Sequence, residues 1–161
     1  ALSVSRYSSP SGPCQSVTDT THIGLAYDAA NVPASKVEVT LPLSGLDTFV
    51  PKLDEHLKSA EFFDAQKYPR ITFRSTRASA AGPHRLKIVG DLTVHGVTHP
   101  AVLDVVLNKA APNPMMKANV IGFDATTTIK RSDFGVGAYV PNVGDEIAIR
   151  ITTEADAAAA K

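Results

Sequence analysis

Tryptophan is missing from this chain, cysteine occurs once, and neither sign of charge is in excess. Sixteen Lys and Arg face sixteen Asp and Glu, which leaves a formal net charge of 0 with the five His neutral. Without a basic surplus to neutralise phosphates, nucleic acid is not an expected partner. Six Phe and four Tyr are also too few to suggest base stacking. A single Cys14 rules out an internal disulfide and a Cys-rich zinc site. It sits in the stretch 8–16, Ser-Ser-Pro-Ser-Gly-Pro-Cys-Gln-Ser, which is loop by composition, and reads as an inert thiol. No run approaches the roughly 18 apolar residues of a membrane-spanning helix. Nor does the start, Ala1-Leu2-Ser3-Val4-Ser5-Arg6, show the charged region and apolar stretch of a signal peptide. Such a start suits either a cytoplasmic protein or the mature form of an exported one.

What is present is 43% hydrophobic and 20% charged in 161 residues, the mix of one globular domain spanning 1–161. A chain of this size buries roughly 70% of its unfolded surface, enough for a real core. Residues 155–161, Ala-Asp-Ala-Ala-Ala-Ala-Lys, read as a frayed tail.

Apolar residues recur with period two. Val37, Val39, Leu41 and Leu43 alternate with Glu38, Thr40 and Pro42, and Ile71 and Phe73 with Thr72 and Arg74. Leu86, Ile88, Leu92 and Val94 follow the same rhythm with Gly90 in phase. So do Leu103, Val105 and Leu107, then Ile121, Phe123 and Ile129, then Ile147, Ile149 and Ile151. These predict half-buried strands. Shorter candidates at 2–7 and 22–28 bring the total to about eight. Ala81-Gly82-Pro83 and His95-Gly96-Val97-Thr98-His99-Pro100 read as turns, and Ala111-Pro112-Asn113-Pro114 as a longer loop. Residues 48–60 differ: Phe49, Leu53, Leu57 and Ala60 make one helical stripe, with Asp47 or Thr48 as cap and Pro51 in the first turn.

One helix cannot cover the apolar faces of so many strands, so the sheet must fold over itself or close. Closure also removes exposed edges. The expected fold is therefore all-β: a closed antiparallel eight-stranded barrel with one short helix, a sandwich being the alternative. A barrel of that size is either just filled or holds one small ligand. The absence of Trp and the smaller Ser75, Ala101, Ala125 and Thr127 leave both a filled core and an apolar cavity open.

Catalytic and metal chemistry find little support. His95 and His99 have ligand spacing only on a helix, and their surroundings make a turn. His22 and His84 stand alone near turns, whereas His56, beside the helical stripe, can direct polar atoms toward a pocket mouth. There is no G-x-S-x-G elbow. Asp54 and Glu55 are adjacent on a helix and diverge, and Asp145-Glu146 reads as a solvated turn. Gly135-Val136-Gly137 opens no helix that would hold a phosphate.

Four segments carry a resemblance. The first is Asp54-Glu55-His56-Leu57-Lys58-Ser59-Ala60-Glu61-Phe62-Phe63-Asp64, followed by Lys67-Tyr68-Pro69-Arg70-Ile71-Thr72-Phe73-Arg74-Ser75. The second is Gly90-Asp91-Leu92-Thr93-Val94-His95-Gly96-Val97-Thr98-His99-Pro100. Ile129-Lys130-Arg131-Ser132-Asp133-Phe134-Gly135 and Val143-Gly144-Asp145-Glu146-Ile147 complete the set. In this order they resemble the YceI-like family of bacterial periplasmic polyisoprenoid-binding proteins. The resemblance implies a lipocalin-like barrel that holds a long isoprenoid chain, such as that of a quinone or polyprenyl compound, without catalysis. It implies no cofactor beyond such a bound lipid, a periplasmic location for a mature exported chain, and bracing roles for Asp64, Tyr68 and Pro69. Arg131, Ser132 and Asp133 read as a polar turn with an internal salt bridge.

The candidate ligand contacts are then Phe49, Leu53 and Leu57 on the helix, Phe62 and Phe63 after it, and Ile71, Phe73, Leu92 and Val94 on the strands that follow. Leu103, Val105, Ile121, Phe123, Ile129 and Phe134 complete them. The expected partner is a hydrophobic small molecule, with room for transient membrane contact during ligand exchange and for a homodimer. Rival readings are a fatty acid or fatty amide carrier, an enzyme holding its substrate in the barrel, and a solid-core stress or interaction protein. The departure from the family is at residues 1–21, which lack its aromatic-Asp strand and His-Ser pair. His22-Ile23-Gly24 is the remnant of its His-x-Gly element, and the region is shorter than the family pattern. This predicts residues missing between apparent neighbours, or altered first strands and an altered cavity mouth.

Overall fold

The computed structural model describes residues 6–7, 22–28, 30–108, 111–113 and 118–156. Cys14, most of the 1–21 segment and residues 157–161 lie outside them. Strands β1 (Arg6–Tyr7), β2 (His22–Ala26) and β3 (Lys36–Pro42) precede the helix α1 (Pro51–Lys58). After it come β4 (Arg70–Gly82), β5 (Arg85–Val94), β6 (Val97–Leu107), β7 (Ala111–Asn113), β8 (Ala118–Lys130) and β9 (Glu146–Asp156). All pair antiparallel in one sheet ordered β1-β9-β8-β6-β5-β4-β3-β2, with β7 beside β8. Strands β3 to β6, β8 and β9 are those that the alternation predicts, and β1 and β2 fall within the shorter candidates at 2–7 and 22–28. Along β5, Leu86, Ile88, Leu92 and Val94 are buried while Arg85, Lys87 and Asp91 are exposed, because successive side chains leave opposite faces.

Three expectations are corrected, and a fourth lies mostly outside the described residues. The helix is shorter than 48–60, starting at Pro51 and ending at Lys58. Its N-cap is Val50, which offers no side-chain bond, because Phe49 lies at φ 63° and turns the chain out of helical geometry before Pro51. The 111–114 loop contains the short strand β7 on β8. Of the strand predicted at 2–7 only Arg6 and Tyr7 are described. The sheet is all-β and curled as expected, and among the described residues no ladder joins β2 to β1 or β9.

The sheet nonetheless curls far. Ile23 and Leu25 of β2 and Ile151 and Thr153 of β9 line one small interior void. The Tyr27 ring, just past β2, meets Phe123 of β8 edge-on at 5.9 Å. Curling brings the apolar faces together around one core that includes Val37, Phe73, Ile88, Leu103 and Phe123. Below Asp104 the wall parts. The β6–β8 ladder holds only four pairs, Asp104↔Thr126 to Leu107↔Phe123, although β6 reaches back to Val97 and β8 on to Lys130.

Gly90 is required by a close approach. A Cβ there would lie 2.4 Å from the Arg74 carbonyl oxygen and 2.5 Å from the Phe73 ring. Gly90→Ala is expected to lower stability in urea by about 2 kcal/mol, since packed backbone and a buried ring must both shift. An unchanged midpoint would show that β4 yields freely.

Asp124 ties three strands. Its carboxylate accepts from Asn108 Nδ2 at 2.9 Å, just past β6, and from Thr152 Oγ1 at 2.7 Å on β9, with Arg150 Nη2 at 3.6 Å. The Asn108 bond first, then the Thr152 bond and the Arg150 charge, hold its pKa below the ordinary 3.8. A depressed carboxylate stabilises the fold above the unfolded value and loses that effect as pH falls through the folded one. Asp124→Asn is therefore expected to flatten the fall of the thermal midpoint below pH 3.8. An acid limb of unchanged slope would contradict this.

Candidate functional site

The helix takes its place at one end of the curled sheet because its apolar stripe needs cover. Leu53 and Leu57 point inward, and the turn after α1 buries Phe62 with Phe63 beside it. Together with the sheet they enclose a cavity of about 510 Å³. Its walls are aliphatic and aromatic: Val39 and Leu41 of β3, Ile71 and Phe73 of β4, Leu92 and Val94 of β5. Ala101 and Leu103 of β6, Ile129 of β8 and Ile147, Ile149 and Ile151 of β9 complete the circuit. Val39, Leu103 and Ile151 also border the smaller void of about 40 Å³ farther along, where Tyr27 and Phe123 narrow the interior.

Eleven of the predicted contacts thus meet in the main cavity: Leu53, Leu57, Phe62, Phe63, Ile71 and Phe73, then Leu92, Val94, Leu103, Ile129 and Phe134. Val105 and Phe123 line the narrow end. Ile121 packs on the core and borders neither space. Phe49 is displaced, since its positive φ leaves the ring 70% exposed outside the cavity. The alternation that placed Ile147, Ile149 and Ile151 on a strand also marks them as lining, and they were missing from the predicted set. Leu46, Val136, Tyr139 and Val143 border the cavity from irregular segments, where no periodicity announces them.

Polar groups are few and gather where the helix faces the 135–145 loop. Arg131, 6% exposed, is the chief of them. Its Nε donates to Gly144 O at 2.8 Å, its Nη1 to Val136 O and Ala138 O at 2.7 and 2.8 Å, and its Nη2 to Val143 O at 2.8 Å. This corrects the expected salt bridge within the 131–133 turn. Four carbonyl dipoles answer the buried charge, and no carboxylate lies in ion-pair contact with it among the described residues. Asp145 instead accepts the Ser132 hydroxyl at 2.7 Å and amide at 2.9 Å, and these bonds, with Arg131 and Lys130 beyond, hold its carboxyl below the usual range. The Arg131 fork therefore shapes the loop that forms one lip of the cavity.

A second polar group bridges the lips. His56 Nε2 lies 3.0 Å from Glu61 Oε2, and the Tyr139 hydroxyl donates to the same oxygen at 3.4 Å. The His56 bond foremost holds the Glu61 carboxyl below the usual range. Tyr139 also stacks on Phe62 at 6.0 Å, and His56 meets Phe62 edge-on at 5.0 Å. His95 and His99 are engaged separately, with Tyr68 at 4.7 Å and Phe134 at 5.3 Å. The Tyr68 ring sits so close over the turn that a Cβ on Gly96 would lie 2.5 Å from it, which fits a bracing role. Among the described residues no three His, Cys, Asp or Glu converge as metal ligands. The arrangement can exclude water from an apolar chain and meet a polar end at the lips.

Known proteins agree with this architecture. The family profile of YceI-like domains matches residues 4–155. A UPF0312 protein of Vibrio cholerae serotype O1 is 39% identical over 111 residues, 69% of this chain and 58% of that protein. The chain thus spans little more than half the length of that relative. A Campylobacter jejuni YCEI protein superimposes with a TM-score of 0.83 at 27% identity, over 92% of this chain and 88% of that one. A polyisoprenoid binding domain from Saccharophagus degradans has the same fold, with a TM-score of 0.67 at 12% identity over 97% and 94% of the two chains.

Proposed function

Because the chain belongs to the YceI-like family, we propose that it binds and carries a long-chain isoprenoid lipid, such as a quinone or polyprenyl compound, without transforming it. The observation that carries this reading is the cavity of about 510 Å³, walled mainly by apolar side chains, with His56, Arg131 and Tyr139 gathered at one end. That volume lies within the range of small-molecule sites. The fold shared with a polyisoprenoid binding domain supports the choice of cargo. Each Å² of tail removed from water contributes about 25 cal/mol, so a long chain needs no polar anchor to stay. A tail longer than the main cavity passes the Tyr27–Phe123 constriction into the narrow end. In this reading the curled sheet closes into a barrel around the cargo, and the protein works in the periplasm after export.

The cavity volume favours a second reading, a fatty acid or fatty amide, whose shorter chain ends before the constriction. Native mass spectrometry followed by organic extraction separates them. A bound mass that extracts as a prenyl compound supports the first, and an acyl compound the second. Failure to take up either an added prenyl quinone or an added fatty amide overturns both.

A further inference from the structure

Five of the seven large hydrophobic side chains exposed among the described residues lie on two segments at the cavity's helix end. They are Phe49 (70%), Val50 (50%), Tyr139 (54%), Val140 (39%) and Val143 (48%). Both segments adjoin the same cavity. Leu46 and Leu53, on either side of Phe49 and Val50, line it, as do Tyr139 and Val143. The exposed patch is therefore continuous with the apolar lining.

The local chemistry at Phe49 and Val50 opposes the residues found there. Phe49 holds φ at 63° and Tyr139 at 63°, a conformation open to glycine and costly for a bulky side chain. Val50 occupies the N-cap of α1, where Ser, Thr, Asp or Asn would satisfy a free helix N–H and valine cannot. Neither residue gains burial in return. Backbone strain of this kind clusters at functional sites, and on exposed apolar side chains it points to a contact outside the fold.

The adjoining apolar cavity indicates what that is. The acidic groups nearest the tip are turned onto their own backbone. Asp47 Oδ1 accepts the Phe49 N–H at 2.7 Å, and Asp54 Oδ1 accepts the Thr48 N–H at 2.7 Å and hydroxyl at 2.6 Å. Lys52, on the first turn of α1, stays exposed beside Val50. An apolar tip that adjoins an apolar cavity and carries flanking charges of both signs, Lys52 with Asp47 and Glu55, matches a bilayer surface, with rings and methyls below the headgroups and the ammonium among them.

We propose that the Phe49-Val50 tip and the 139–143 segment form a bilayer-docking surface, through which an apolar chain passes between membrane and cavity without crossing water. The proposal rests on the lipid-carrier reading, and its test keeps the two apart. The test variant carries Phe49→Gly and Val50→Ser, two changes outside the cavity lining that suit the local backbone. Three quantities are compared with the unmodified chain: co-sedimentation with phosphatidylglycerol–phosphatidylethanolamine vesicles, uptake of a fluorescent fatty amide from solution, and the thermal midpoint. The expected result is vesicle partitioning at least about tenfold weaker, with uptake unchanged and the midpoint equal or higher. Vesicle binding equal in the two proteins, or absent from the unmodified chain, overturns docking. A dimer of the unmodified chain on size exclusion that the variant loses also overturns it, and assigns the tip to a second copy. A lowered midpoint overturns it by showing that Phe49 and Val50 serve the fold. Absence of uptake in both proteins, with vesicle binding retained by the unmodified chain, counts against the carrier reading and leaves docking supported.

Discussion

Replacing Arg131 with alanine is expected to destabilise the protein by about 4 kcal/mol. The guanidinium makes four hydrogen bonds of 2.7–2.8 Å to the carbonyls of Val136, Ala138, Val143 and Gly144. Hydrogen bonds from a charged donor contribute about 1.5–3 kcal/mol each, and a buried acceptor left unpaired costs about 1–3. Full additivity would exceed the expected value. Loss of the fork also frees the loop to reach water, which returns part of the cost. Arg131→Lys is expected to recover less than half, because a point ammonium with three donors cannot span acceptors arranged for a planar fork. Urea unfolding of both variants is the measurement. A loss below about 1 kcal/mol for Arg131→Ala would show that the loop holds its shape by other means.

Ala101→Phe is expected to reduce uptake of an apolar ligand at least about a hundredfold, equivalent to ~2.8 kcal/mol, with stability changed by less than about 1 kcal/mol. Ala101 is buried on β6, and its methyl faces the main cavity. A benzyl group there enters space that the ligand would use. The pairing of outcomes carries the meaning. In a filled core the same ring would overpack its neighbours and cost about 1–3 kcal/mol. Retained uptake would place the ligand elsewhere, whereas a large loss of stability would favour the solid-core rival. Fluorescent fatty amide titration alongside urea unfolding reads both.

Much of this was legible in the sequence where periodicity does the work. The buried faces of β5, from Leu86 to Val94, and of β6, at Leu103 and Val105 with Leu107 half-buried, follow from alternation alone. A pleated strand has one way to divide its side chains between core and water. The helix was legible in kind but not in extent. Its stripe announced it, but the positive φ at Phe49 that delays its start is set by tertiary context. The same residue shows the limit for the site. Helical spacing put Phe49 in line with Leu53 and Leu57, and one backbone angle turned its ring to water. The sequence marks Arg131 as polar but not its partners, because a bond to carbonyls of a loop that returns several residues later leaves no mark in composition. Closure was out of reach for a related reason. Alternation fixes which face of a strand is buried, but not whether the first and last strands of the sheet pair.

The parting of β6 from β8 bears on how the wall moves. Ten pairs hold β5 to β6 and eleven hold β8 to β9, while four hold β6 to β8. Local opening follows the weaker sets of cooperative bonds, so between these two long ladders the seam is where the sheet gives first. Pro100 removes one backbone donor from the unjoined stretch of β6. The backbone amides there that face away from β5 have no ladder partner among the described residues to slow their exchange with solvent. The seam thus forms a compliant joint between β5–β6 and β8–β9, and under the proposed carrier function cargo of varied girth is expected to be accommodated by flexing at that joint.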